Sequence, residues 1–253
     1  MLIDSHCHIY LEDFKDDLET VMQRAFQAGL KKFYMPAIDS TTNGLMFELE
    51  EKYPGTCIAM MGLHPCSVKE NFNEELEEVE QYLKQRRFAA VGEIGLDFYW
   101  SQEFIKQQYE SFHRQINLSI EHDLPIVIHT RNAMQETIDV VSEYKGKARG
   151  IFHCFGGSGD DAQRIIELGY YLGIGGVVTY KNSGLASVLE QIDLKHIVLE
   201  TDAPYLTPVP FRGKRNECSY LSLVQEKIAA IKNISLDEVA SITSENALKV
   251  FAL

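Results

Sequence analysis

Eight short apolar runs, each followed by a segment of helical periodicity, limit how this 253-residue chain can fold more than any other feature it has. The runs fall at 2–6, 32–38, 56–62, 88–94, 125–129, 149–153, 170–175 and 197–202. Between them, Leu18, Val21, Met22, Ala25 and Phe26 recur with the spacing of one helix face that stops before Gly29. Leu76, Val79 and Leu83 repeat the pattern, and residues 102–122 read as one long helix with Pro125 behind it. Gly156-Gly157-Ser158-Gly159 leads into a further helix from Asp160. Two helices follow the eighth run, the last opened by the capping-box pair Ser235 and Glu238. Strands apolar along most of their length, each followed by a helix, belong to a parallel sheet covered by helices. Eight such units in about 250 residues favour an α/β fold closed as a (β/α)8 TIM-type barrel over an open sheet. No Gly/Ser- or Pro-rich linker divides the chain, so a single domain over 1–253 is expected.

A parallel barrel brings the C-terminal ends of its strands to one rim, where barrel enzymes carry their active sites. The first run ends in Ser5-His6-Cys7-His8, and strand alternation turns both imidazoles to one side and Cys7 to the other. His64 closes the third run, Glu93 the fourth, His129 the fifth, His153 the sixth, and Glu200 and Asp202 the eighth. Any one of these has an ordinary structural explanation. Together they would be costly to bury without a counter-charge. Four histidines and two carboxylates are the donors expected around two divalent cations, with one carboxylate able to bridge. His113 and His122 lie in or just past a helix and His196 precedes the eighth strand, so these three are read as structural or surface residues.

The net charge of −13 gives no overall field to attract DNA or RNA, so a polyanionic substrate would depend on bound cations and a few arginines in a cleft. No apolar run reaches the roughly 20 residues needed to span a bilayer, which excludes a membrane protein of the helical kind. The five cysteines show no C-x-x-C spacing, and the first strand begins almost at Met1 without a signal peptide. A cytoplasmic location is expected, with no membrane association and no obligate protein partner evident.

Ser-His-Cys-His, Gly62-Leu-His-Pro65, Gly92-Glu-Ile-Gly-Leu-Asp97, Ile128-His-Thr-Arg131, His153-Cys-Phe-Gly-Gly157, Glu200-Thr-Asp-Ala-Pro-Tyr205 and Arg212-Gly-Lys-Arg-Asn-Glu217 follow one another along the chain. This ordered series resembles the TatD family of metal-dependent deoxyribonucleases, within the amidohydrolase-like barrel superfamily. The resemblance implies that His6, His8 and Asp202 hold a first metal, that Glu93 bridges to a second, and that His129 and His153 complete the second. It implies two divalent ions (Mg, Mn or Zn), a place for His64 near the substrate phosphate, and 3′-to-5′ cleavage of single-stranded DNA as the reaction.

On that reading Asp202 orients a water and accepts its proton, with Glu93 as the other catalytic carboxylate. Glu200, two residues before Asp202 on the same strand face, is expected to orient a ligand histidine. Arg131 is a candidate for bidentate phosphate contact, against a salt bridge on the rim. Arg212, Lys214 and Arg215 either grip a nucleic-acid backbone or pair with nearby acids. Tyr99, Trp100 and Tyr205 either stack on bases or pack over the barrel mouth. Cys7 and Cys154 are read as small core residues turned away from the site. Two other functions remain open: an ester or amide hydrolase on the same barrel, such as a D-aminoacyl-tRNA deacylase, and a metal-retaining scaffold without turnover.

Overall fold

The eight apolar runs become eight strands in the computed structural model, which describes residues 1–252; Leu253, the last residue of the expected domain, lies outside the described residues. In chain order the elements are β1 (Leu2–Asp4), α1 (Leu18–Gln27), β2 (Leu30–Met35), α2 (Ser40–Lys52), β3 (Cys57–Ala59), α3 (Phe72–Gln85) and β4 (Val91–Asp97). Then come α4 (Ile105–Glu121), β5 (Ile126–Arg131), α5 (Met134–Ser142), β6 (Gly150–Phe152) and α6 (Gly159–Glu167). The chain finishes with β7 (Tyr171–Ile174), α7 (Leu185–Gln191), β8 (Ile197–Leu199), α8 (Leu221–Lys232) and α9 (Leu236–Val250). The long fourth helix starts three residues later than its periodicity predicts, at Ile105, because 98–104 form a loop at the strand end.

Every ladder is parallel, in the sheet orders β1-β2-β3 and β4-β5-β6-β7-β8. The expected single closed cylinder is therefore not one unbroken ladder. β1, β3 and β8 are each three residues long and run out of pairing length at the two seams. Met61 bridges Val91 at one seam, and at the other the Ser5 amide donates to the Leu199 carbonyl at 2.9 Å.

Two apolar layers follow from the alternation of strand side chains. One cluster takes Ile3, Tyr34, Ile58, Ala90, Val127, Ile151 and Val198 from on or beside seven of the strands, with Val250 and Phe251 packed against it from the end of α9. Phe251 stacks on Tyr34 with ring centroids 4.0 Å apart. The larger cluster lies between strands and helices, where Val21, Met22 and Ala25 of α1 and Leu76, Val79 and Leu83 of α3 are buried as their spacing requires. Phe26, on the edge of the α1 face, stays 37% exposed. Capping boxes start α6 and α9: Ser158 accepts from the Asp161 amide, and Ser235 from the Glu238 amide. Along β5, burial falls from Ile126–Ile128 through half-buried His129 and Thr130 to exposed Arg131. That gradient marks the rim.

Candidate metal centre

His6 and His8 do not stand on a strand. Pairing with β2 stops at Asp4, and the backbone then turns to the eighth strand's exit: the Asp202 amide donates to the His6 carbonyl at 2.9 Å, and the His8 amide to the Ala203 carbonyl at 2.8 Å. Strand alternation therefore does not place the two imidazoles side by side; these backbone bonds do, and the two Nε2 atoms converge to 3.2 Å. Glu93 is placed by a β-bulge. Gly92 pairs Val127 and Ile94 pairs Ile128, leaving Glu93 out of the β4–β5 register with its carboxylate inside the rim.

The two oxygens of Glu93 face different partners. Oε2 lies 3.1 Å from His6 Nε2 and 3.5 Å from His8 Nε2, and each of those nitrogens is 3.7 Å from Asp202 Oδ1. A cation bound at about 2.0–2.1 Å to four nitrogen and oxygen donors needs them roughly 3.3 Å apart. These four atoms fit that requirement. Oε1 lies 2.8 Å from His129 Nδ1, 3.4 Å from His64 Nε2 and 3.6 Å from His153 Nε2. Glu93, His129 and His153 form a second donor group within metal-binding reach, distinct from that of His6, His8 and Glu93.

Three of the four candidate ligand histidines are held from behind. His153 Nδ1 lies 3.0 Å from Glu200 Oε1. His129 Nε2 lies 2.8 Å from Asp97 Oδ2. His8 Nδ1 lies 3.2 Å from the Tyr10 hydroxyl, which itself donates to the Pro36 carbonyl. Such outer partners fix the tautomer, so that the inward nitrogen carries a lone pair. Asp97 and Tyr10 were not singled out from the sequence, although each sits at even spacing from a ligand, four residues after Glu93 and two after His8. Gly173 on β7 has a related role: a Cβ there would run into Glu200 Oε2, so the residue's bareness makes room for that carboxylate.

The charges follow from the crowding. Burial works to raise the Glu93 carboxyl, but the His64, His6 and His153 imidazoles and the His129 hydrogen bond overcome it and hold the group well below the usual carboxylate range. Burial drives Asp202 up to about 6 against the pull of His153 and His8. His6 is pushed down by burial and by His153. His153 moves the other way: burial lowers it, yet Glu200, Glu93 and Asp202 together lift it to about 10. The surrounding carboxylates thus favour the protonated form of His153.

His64, the centre's outer edge, accepts the Cys66 amide at Nδ1 (3.0 Å), and its Nε2 faces Glu93. Cys154 departs from its sequence reading. Its φ of +47° rotates it out of strand alternation, and it lines the cavity above the donors. Cys7 is fully buried, as expected. Of the basic cluster, Arg215 is engaged elsewhere, in paired hydrogen bonds to Asp17 at 2.9 and 2.7 Å, while Arg212 lies 4.4 Å over the Tyr180 ring. His113 meets the Tyr144 hydroxyl at 2.8 Å, and His196 sits in the turn before β8, both away from the donors.

Comparison with known proteins bears out the family resemblance of the sequence. The sequence profile described as TatD related DNase matches residues 3–252. The chain belongs to the TatD family. Among TatD relatives, it is 37% identical over 255 residues to the uncharacterized metal-dependent hydrolase YabD of Bacillus subtilis (strain 168), covering all of both chains. It is 31% identical to the uncharacterized metal-dependent hydrolase YcfH of Escherichia coli (strain K12), covering 99% of this chain and 95% of the other. In structure it resembles YjjV, a TatD homologue from E. coli K12, with a TM-score of 0.94 at 31% identity, covering 100% of this chain and 98% of that one. A phosphotriesterase homology protein from E. coli, complexed with phosphate in its active site, shares the fold at a TM-score of 0.73 and 16% identity.

Proposed function

We propose that this TatD chain is a metal-dependent hydrolase of phosphodiester bonds that removes nucleotides from the 3′ end of single-stranded DNA in the cytoplasm, using one barrel domain. The observation that carries this reading is the divided carboxylate of Glu93, with Oε2 among His6, His8 and Asp202 and Oε1 among His129, His153 and His64. Two divalent cations held there would supply an acidified water and neutralise charge on the phosphoryl oxygens. The remaining work falls to the chain's own residues. Asp202, whose Oδ1 faces the His6 and His8 nitrogens, orients the attacking water and takes its proton on its other carboxylate oxygen. His64 Nε2, at the edge of the Glu93 set, reaches the phosphate from the cavity side. The cavity over the donors, of about 790 Å³, admits a nucleotide-sized group. Among the described residues no helix is long and apolar enough to cross a membrane.

Digestion of an end-labelled single strand with Mg²⁺, Mn²⁺ or Zn²⁺, with and without chelator, tests this. Shortening from the 3′ end that stops with chelator and falls below about 1% in Glu93→Ala is the expected result. A strand left intact by a preparation that deacylates an aminoacyl-tRNA would replace the nuclease reading with an ester-hydrolase one. Cleavage by Glu93→Ala at the wild-type rate would remove the bridging role.

A further inference from the structure

The cavity opens onto an aromatic lip that the chemistry above leaves unused. The loop after β4 carries Tyr99 and Trp100, 53% and 68% exposed. Trp100 is the only tryptophan in the chain, and an indole held out in water forgoes the burial that large aromatic groups ordinarily contribute. The loop is nonetheless fixed, because Asp97 Oδ1 accepts the amides of Tyr99 at 2.9 Å and Trp100 at 3.0 Å. The guanidinium carbon of Arg131 lies 4.0 Å from the Tyr99 ring centroid and 5.3 Å from that of Trp100. The rim salt bridge that competed with a phosphate role for Arg131 is not formed: among the described residues no carboxylate pairs with it. A guanidinium packed on rings keeps its edge N–H groups available to an acceptor. Trp100 and Arg131 both line the cavity that holds Glu93 and His129.

We propose that Trp100 and Arg131 form a nucleotide subsite, in which an unpaired base stacks on the indole and a phosphate of the same strand accepts from the guanidinium. The inference rests on the single-strand nuclease reading and adds the residues that would hold an unpaired base and its phosphate beside the metal donors. Charge supports this occupant. In a chain of net charge −13, an uncompensated guanidinium beside the metal donors is the place where a phosphate is drawn in. Stacking supports it too, since an exposed indole accepts any base face, whereas bases inside a duplex have both faces covered.

The sole tryptophan makes the test direct, because protein indole fluorescence then reports this subsite alone. A short phosphorothioate oligothymidylate, titrated with Mg²⁺ present, quenches the Trp100 emission; a strand of abasic units with the same backbone does not. Wild-type kcat/KM for ordinary oligothymidylate over the abasic phosphodiester strand is roughly tenfold or more. That preference collapses toward unity in Trp100→Ala and is partly restored in Trp100→Phe. Equal quenching by both strands, or an unchanged preference in Trp100→Ala, overturns the subsite. If no strand is cleaved with any metal while base-dependent quenching persists, the hydrolytic reading fails and the subsite stands. Cleavage without base-dependent quenching gives the opposite division.

Discussion

Asp97 and His129 face each other across the β4–β5 pair, carboxylate Oδ2 to imidazole Nε2 at 2.8 Å. Burial works to raise Asp97, and hydrogen bonds from His129 and from the Trp100 and Tyr99 amides hold it well below the usual carboxylate range. One carboxylate thus fixes a metal-facing histidine and the aromatic lip together.

Removing that carboxylate, as in Asp97→Ala, is expected to lower affinity for the second cation roughly 10- to 100-fold. The same change loosens the loop. Calorimetric metal titration follows the first effect, and a fall in Trp100 fluorescence anisotropy follows the second.

Glu200 stands behind His153 in the space left by Gly173. Gly173→Ala pushes that carboxylate aside without changing any ligand. It should cost roughly as much metal affinity as Glu200→Gln, about 10- to 100-fold, and the double variant should be little worse than either alone. Additive losses in the metal titrations would show that the two residues act separately.

Loading with metal should release a proton at neutral pH. His153 is held protonated to about 10 in the metal-free cluster, and a nitrogen that coordinates must give up its proton. Zinc titrations in two buffers of different ionisation enthalpy should differ by about one proton's worth of heat at pH 7, and apparent affinity should weaken as pH falls. Equal heats in both buffers would contradict the assignment.

Asp4, buried beneath the centre, is raised by burial to about 7 despite hydrogen bonds from Thr201 and the His6 amide. The unfolded chain ionises Asp near 3.9, so between about pH 4 and 7 the folded state binds the extra proton and loses stability as pH rises. Asp4→Asn has no such titration. Urea unfolding in chelator should show the variant gaining on wild type across that window, by at most on the order of 4 kcal/mol.

Much of this was legible in the chain because parallel strands write their burial plainly. All eight strands lie where apolar runs stand, and the motif histidines and acids lie within or after them. What could not be read is backbone that leaves regular geometry. His6 and His8 meet through bonds to residues nearly two hundred positions away, Glu93 is aimed by a bulge, and Cys154 is turned by a left-handed backbone. Asp97 was visible as a motif residue, but its two roles depend on where His129 and the Trp100 loop lie in space. The exposure of Trp100 was undecidable from sequence, since an aromatic after a strand packs inward as readily as outward.

The seam between β1 and β8 sets an order of events during synthesis. His6 and His8 emerge from the ribosome well before Asp202 and Ala203, but their positions are fixed by backbone hydrogen bonds, from the Asp202 amide to the His6 carbonyl and from the His8 amide to the Ala203 carbonyl. A nascent polypeptide short of that point carries two histidines with no scaffold to aim them and cannot assemble the donor set. Contacts so distant in sequence form late, and the cation-binding pocket matures only after the remainder of the chain has found its place.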